Sequence, residues 1–377
     1  MAQTATLPTK NHYEILDGLR GVAAVLVVSF HILEAHNGGS RFKQIINHGY
    51  LAVDFFFLLS GFVVAYAYDD RWAKMSQWDF YKRRLIRLQP MVIMGSIIGA
   101  ALFYFQGGAL FPLINSTPVW KMLLVMLIGC TLIPLPMRFD IRGWQEMHPL
   151  NGPAWSLFFE YIANILYALF IRRFSNTVLA IFVFLSACLL VHYTVWGAQG
   201  DVIGGWSVDK EQLNIGFTRL LYPFFAGMLL CRFGKLINIK WAFGICSLLL
   251  LVIFSLPRFG GESNLWVNGL YESFSIILIF PLIVAIGAGS SIKSKSGIRI
   301  CKFLGDISYP IYITHYPLIY WYTAWVVDDK VPLAGKGIFW GVVVLILAIS
   351  IGYASLKLYD EPVRNWLQKR FMRKQVR

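Results

Sequence analysis

Residues 16–36 read LDGLRGVAAVLVVSFHILEAH, and from Gly21 to Phe30 the run carries no charge. As a helix rising 1.5 Å per residue, such a run crosses the roughly 30 Å hydrocarbon core of a bilayer. Further apolar runs lie at 49–68, 90–106, 153–171, 177–196, 215–231, 241–257, 269–289, 303–327 and 337–358. They leave no stretch long enough for a water-soluble module. Composition agrees: 57% of the 377 residues are hydrophobic and only 14% charged, where a soluble chain carries about a quarter. The expected fold is all-α, a polytopic membrane bundle of about ten transmembrane helices forming one unit over 1–377, with its core at about 14–367.

An eleventh run, 119–136, has Lys121 near its start and Pro134 and Pro136 at its end. Counted as a full crossing, it would place the basic segments around Arg172, Arg232, Lys293 and the tail KRFMRKQVR outside, against the retention of Lys and Arg in the cytoplasm. Treated as a segment that enters and returns, it brings all of them inside with the Arg71–Arg87 loop. The sequence is therefore read with ten crossings and both termini cytoplasmic, in an integral, multi-pass membrane protein.

The same loops account for the formal charge of +14, which topology explains without nucleic acid. The five cysteines, Cys130, Cys188, Cys231, Cys246 and Cys301, show no metal-ligand spacing and are expected as small core residues. Residues 1–14 lack the pattern of a removable signal peptide. No metal is expected, and the sequence leaves the oligomeric state open.

Charged side chains inside spans are expensive and invite functional readings. Asp17, Arg20 and His31 share the first span, with Glu34 beyond. Arg20 and His31 are about 16 Å apart along one helix face. A neutral imidazole there is a ready general base. Arg84 and Arg87, one turn apart after Arg83, suit bidentate phosphate binding; anionic-lipid contact explains Arg71, Lys74 and Lys82 equally well. Ser60 and Gly61 sit mid-way along the second span, where a small pair permits close helix approach or access for an elongated ligand such as a phosphate-bearing donor. Glu160, roughly 10 Å into its span, is expected at the depth of His31, some 22 Å up its own helix, so that the two would pair. His315 among aromatics is read as a satisfied core residue, and Asp360 and Glu361 as a capped helix end.

In order along the chain, LDGLRGVAAVLVVSFH, FFFLLSGF, RRLIRLQP, PAWSLFFEY, GDISYPIYITHYPL and YDEPVRNW together resemble the integral-membrane acyltransferase 3 family over nearly the whole chain. That family comprises bacterial O-acyltransferases that typically modify surface glycans with an acetyl group from cytoplasmic acetyl-CoA. The resemblance implies that His31 is catalytic, that Arg20, Arg84 and Arg87 hold acetyl-CoA or another acyl-CoA, and that Ser60, Gly61 and Phe62 form its Ser-Gly-Phe motif. Glu160 matches the carboxylate of the Trp-Ser block. Some members append an extracytoplasmic esterase-like domain, which is not expected here.

The resulting expectation is acyl transfer across the bilayer. Donor phosphates would rest on Arg84, Arg87 and Arg83 or Arg20, and a glycan or glycolipid acceptor would stack on Trp144, Trp155, Trp196, Trp206 and Trp266. His31, oriented by Glu160, would take the acceptor's proton, either directly or through an acyl-histidine. The rival is a secondary transporter or exporter of a glycan or lipid precursor, with His31 and Glu160 as a proton relay.

Overall fold

A computed structural model describes residue 10 and residues 12–372. Most of the leader reading (1–9 and 11) and the last of the basic tail (373–377) lie outside the described residues. Every regular element among those residues is helical. The chain runs through α1 (Glu14–Glu34), α2 (Ala52–Tyr68), α3 (Gln77–Leu102), the short α4 (Pro112–Ser116), α5 (Val119–Gly129), α6 (Ala154–Leu169), α7 (Asn176–Trp196) and α8 (Lys210–Phe233). It continues through α9 (Ala242–Ser255), α10 (Leu265–Phe274) and α11 (Phe280–Gly289), then α12 (Lys295–Thr314), α13 (Tyr316–Asp328), α14 (Ile338–Ser355) and α15 (Glu361–Phe371).

Seven segments are long and apolar enough to cross a membrane: Glu14–Glu34, Gly49–Tyr68, Gln77–Gln106, Asn176–Trp196, Lys210–Phe233, Leu265–Gly289 and Leu333–Phe371. The chain is thus built as a multi-pass membrane protein. α5 has 11 residues, about 16 Å of helix, half of the hydrocarbon core; its sequence is apolar yet too short to cross unaided.

Local chemistry sets several boundaries. α3 begins 13 residues before the apolar run expected at 90, because Ser76 and Asp79 form a reciprocal capping box that starts the helix in the basic stretch. Ser175 and Asp209 cap α7 and α8, and α8 ends on Gly234 at φ 62°. The run 303–327 is not one helix. It breaks at His315, where Pro317 follows.

Two close helix pairs hold the centre. α2 lies on α8 with Gly61 facing the Phe224 carbonyl and Gly227 facing that of Leu58; a Cβ would come within 1.8 and 2.0 Å of those oxygens. α1 lies on α12 the same way, Gly21 against the Leu304 carbonyl and Gly305 against Asp17. Backbones at this distance exchange extensive dispersion contact, which drives helix association where lipid is as apolar as leucine. Asp54 of α2 and Arg219 of α8 complete the first pair, Nη2 to Oδ2 at 2.7 Å and Nε to Oδ1 at 3.2 Å, both side chains buried. Cys246 and Cys301 are buried as expected, whereas Cys188 is exposed on α7.

Candidate active site: two chambers sharing one wall

Two cavities occupy the interior toward opposite ends of α1. The first, about 440 Å³, is lined by Arg20, Ser60, Arg84, Arg87 and Glu160. The second, about 510 Å³, is lined by His31, Glu34, Trp144, Trp155, Trp206 and Tyr316 among others. Val53 and Tyr312 line both. An arginine chamber and an aromatic one thus meet at Val53 and Tyr312.

In the arginine chamber most charges are already engaged. Arg20 donates from Nε to Ser308 Oγ at 2.8 Å and from Nη2 to the Gly305 carbonyl at 3.0 Å, with Asp17 at 3.2 Å. Arg84 is buried and donates to Glu160 Oε1 at 2.6 Å, where the Ser60 hydroxyl also donates at 2.7 Å. Arg87 is exposed in the chamber, makes no hydrogen bond or ion pair among the described residues, and feels the like charges of Arg20 and Arg84. An anion entering here meets one uncommitted guanidinium flanked by two anchored ones. Arg83, one residue round the helix from Arg84, is exposed and lies outside the chamber lining. It does not join the cluster.

The expected His31–Glu160 pair is not formed. Glu160 belongs to the arginine chamber, held by Ser60 and Arg84, while His31 lines the aromatic one. Two assumptions about depth fail. α1 ends at Glu34, so His31 stands in its last turn and not at mid-span. The segment before α6 folds inward, with Gly152 and Pro153 in the aromatic chamber wall, so α6 starts inside the bundle and carries Glu160 past the level of His31.

The partner of His31 is instead Glu34, three residues on, with Nδ1 to Oε2 at 2.9 Å. A carboxylate only accepts, so Nδ1 donates this hydrogen bond, and in the neutral ring the lone pair is then on Nε2. Nε2 has no protein partner among the described residues. Tyr316 meets the His31 ring edge-on at 4.8 Å and His315 stacks on it at 5.7 Å between centroids. His315 is fully buried and donates from Nδ1 to the carbonyls of Tyr312 and Ile311, but its Nε2 is buried without a hydrogen-bond partner among the described residues, so the expected core histidine is only half satisfied. Of the five tryptophans, Trp144, Trp155 and Trp206 line the aromatic chamber, while Trp196 and Trp266 are exposed at the surface.

Glu34, Tyr312 and Tyr316 were not singled out from sequence. The i, i+3 spacing of His31 and Glu34 was a usable signal; the others needed the fold. The described residues hold no trio of His, Cys, Asp or Glu placed to bind a metal.

A family model described as an acyltransferase domain, Acyl_transf_3, matches residues 13–357. "Protein 2 in picA locus" of Rhizobium radiobacter is 33% identical over 165 residues, covering 41% of this chain and 80% of that protein. O-acetyltransferase OatA of Staphylococcus aureus is 23% identical over 93% of this chain, and the putative peptidoglycan O-acetyltransferase YrhL of Bacillus subtilis 25% over 97%. The chain spans 57% of the length of each of these two. No solved structure matches.

Proposed function

This chain belongs to the acyltransferase family whose domain model spans residues 13–357, and from that premise we propose that it is an O-acyltransferase moving an acetyl group from acetyl-CoA to a saccharide hydroxyl across the Val53–Tyr312 wall. The observation that carries the reading is the pair of chambers meeting at that wall, one lined by arginines and the other by His31 and tryptophans.

The donor's phosphates bind Arg87, with Arg20 and Arg84 beside it. The pantetheine arm, roughly 15–20 Å when extended, matches the 16 Å or so that separates Arg20 from His31 along α1. The arm passes Tyr312, whose hydroxyl bonds the Ser156 hydroxyl at 2.7 Å, and brings the thioester carbonyl to His31. His31 Nε2 takes the proton of the acceptor hydroxyl as its oxygen attacks that carbonyl carbon. The carbon–sulfur bond breaks, and the CoA thiolate recovers the proton from the imidazolium. Glu34 steadies the imidazolium and fixes its tautomer. The acceptor rings rest on Trp144, Trp155 and Trp206.

Ten crossings in the inner membrane, with both termini and the arginine chamber cytoplasmic, complete the proposal. The three short or broken apolar segments α6, α9 and α12–α13 join the seven long ones, while α5 stays on one side. Retention of Arg and Lys supports this orientation.

Purified protein incubated with acetyl-labelled acetyl-CoA and N-acetylglucosamine oligomers tests the reading. Saturable donor binding and label transfer to saccharide are expected; neither would occur with a transporter, and their absence overturns the proposal.

A further inference from the structure

The transfer mechanism leaves one buried acid without a task. Glu146, in the segment between α5 and α6, is 6% exposed and lines the aromatic chamber. The chain is bent to put it there: the Asp140 carboxylate accepts from the backbone N–H groups of Arg142, Gly143 and Gln145. Next to it, Met147 donates its N–H to the Trp206 carbonyl at 2.7 Å and accepts from Leu135 at 2.9 Å. The Tyr320 hydroxyl donates to Glu146 Oε2. Oε1 has no hydrogen-bond partner among the described residues, and no cation forms an ion pair with this carboxyl. Arg142 is nearby, but its guanidinium lies 3.6 Å from the Tyr320 ring centroid, on the face of the ring.

The residue is buried, yet Oε1 is not among the sealed, unpartnered polar atoms of the interior: it opens on the chamber, where a ligand donor can reach it. A strut for Tyr320 would need one oxygen only. The second lies where Gly152 leaves space, since a Cβ on Gly152 would come within 2.8 Å of Oε1 and 2.9 Å of the Tyr320 hydroxyl. The Tyr316 ring lies 4.6 Å from that of Tyr320 and 4.8 Å from that of His31. Glu146 and His31 therefore mark the two ends of one tyrosine pair, within one cavity of the size that holds small ligands.

We propose that Glu146, presented by Tyr320 and Gly152, recognises the acceptor: its free oxygen takes a hydrogen bond from a non-reacting hydroxyl or amide N–H of a neutral saccharide whose reacting hydroxyl lies at His31. The inference rests on assigning this chamber to the acceptor. Charge selects the class of ligand. Glu34 and Glu146 are the acids of the lining, and the one cation there, Arg219, is neutralised by Asp54. An anionic acceptor would find no free cation in this lining, whereas a neutral sugar offers hydroxyl donors for Glu146 and apolar faces for Trp144 and Trp206.

Burial raises the Glu146 carboxyl to about 7, against the pull of Arg142 and the Tyr320 hydrogen bond, with Asp140 adding to the rise. Arg142 and Asp140 on its own segment, with Tyr316 and Tyr320 on α13, are the charged and titratable groups that face it. An ionised carboxylate is the stronger acceptor, so saccharide affinity should rise from pH 6 to pH 8.

The test uses the full chain in nanodiscs, with N-acetylglucosamine trimer and tetramer as probes and equilibrium dialysis as the readout, acetyl-CoA binding being measured in parallel. Glu146→Gln should weaken oligomer binding roughly tenfold and flatten its pH dependence, leaving acetyl-CoA binding unchanged. Tyr320→Phe, which keeps the ring and the carboxylate, should bind the oligomers less well than wild type but better than Glu146→Gln. Wild-type affinity in Glu146→Gln overturns the proposal, as does a wild-type protein that binds acetyl-CoA but no neutral oligomer. Oligomer binding that depends on Glu146 in a protein that does not bind acetyl-CoA would sink the transfer reading and leave this one standing.

Discussion

The two chambers share a wall and differ in how they use polar groups. In the arginine chamber Arg20 and Arg84 are fastened by protein partners, while Arg87 and, at the rim, Lys302 lack one among the described residues. In the aromatic chamber the lining cation, Arg219, is tied to buried Asp54, and His31 Nε2 and Glu146 Oε1 are single polar atoms left without protein partners among the described residues, set among rings. The first is built to attract a charge that salt can screen; the second is built to fix a shape.

Arg84 and Arg87 break this comparison most sharply, because they stand one turn apart in different roles. Arg84→Ala leaves the half-buried Glu160 without its cation, with only the Ser60 hydroxyl still donating to it, and should destabilise the protein by about 1–3 kcal/mol, read as a lower unfolding midpoint in detergent. Glu160→Gln in the same chain should restore part of it. Arg87→Ala removes no internal pair. It should leave the midpoint within about 0.5 kcal/mol of wild type while weakening acetyl-CoA binding roughly tenfold. That loss should shrink as ionic strength rises; equal effects of the two substitutions on stability would erase the distinction.

On the aromatic side, Glu34→Gln should slow transfer roughly tenfold or more without altering acetyl-CoA binding, since it removes the partner that orients His31. Glu34→Asp should recover part of the rate, which a purely structural loss would not. The smallest effect concerns pH. Glu146 titrates near 7 in the fold, above the ordinary 4.5 of a free glutamate, because it is buried. A raised carboxyl stabilises the fold in its protonated form, so this contribution is complete below about pH 4.5 and is lost as pH rises through about 7. The melting temperature should fall by on the order of a few degrees between pH 5 and pH 8, and Glu146→Gln should flatten the fall.

Much of this was legible in the amino-acid order. Apolar length exposed the spans, and proline with Lys121 marked α5 as short. The spacing of Arg20 and His31 on one helix face placed them toward the two chambers. Depth was not legible in the same way. Counting residues from an assumed surface put Glu160 level with His31, because the 140–153 segment gives no sign in sequence that it folds into the bundle. The break at His315 was hidden by continuous hydrophobicity. Glu146 was hidden for a related reason, since a glutamate in a polar segment reads as solvated until the fold buries it.

The claim that His31 carries acyl transfer between the chambers is tested most directly with acetyl-labelled acetyl-CoA, comparing wild type and His31→Ala reconstituted in nanodiscs with N-acetylglucosamine oligomers. His31→Ala should bind acetyl-CoA as wild type does and lose transfer by a factor of about 10²–10⁴. Label reaching the oligomer at the wild-type rate from folded His31→Ala would contradict it.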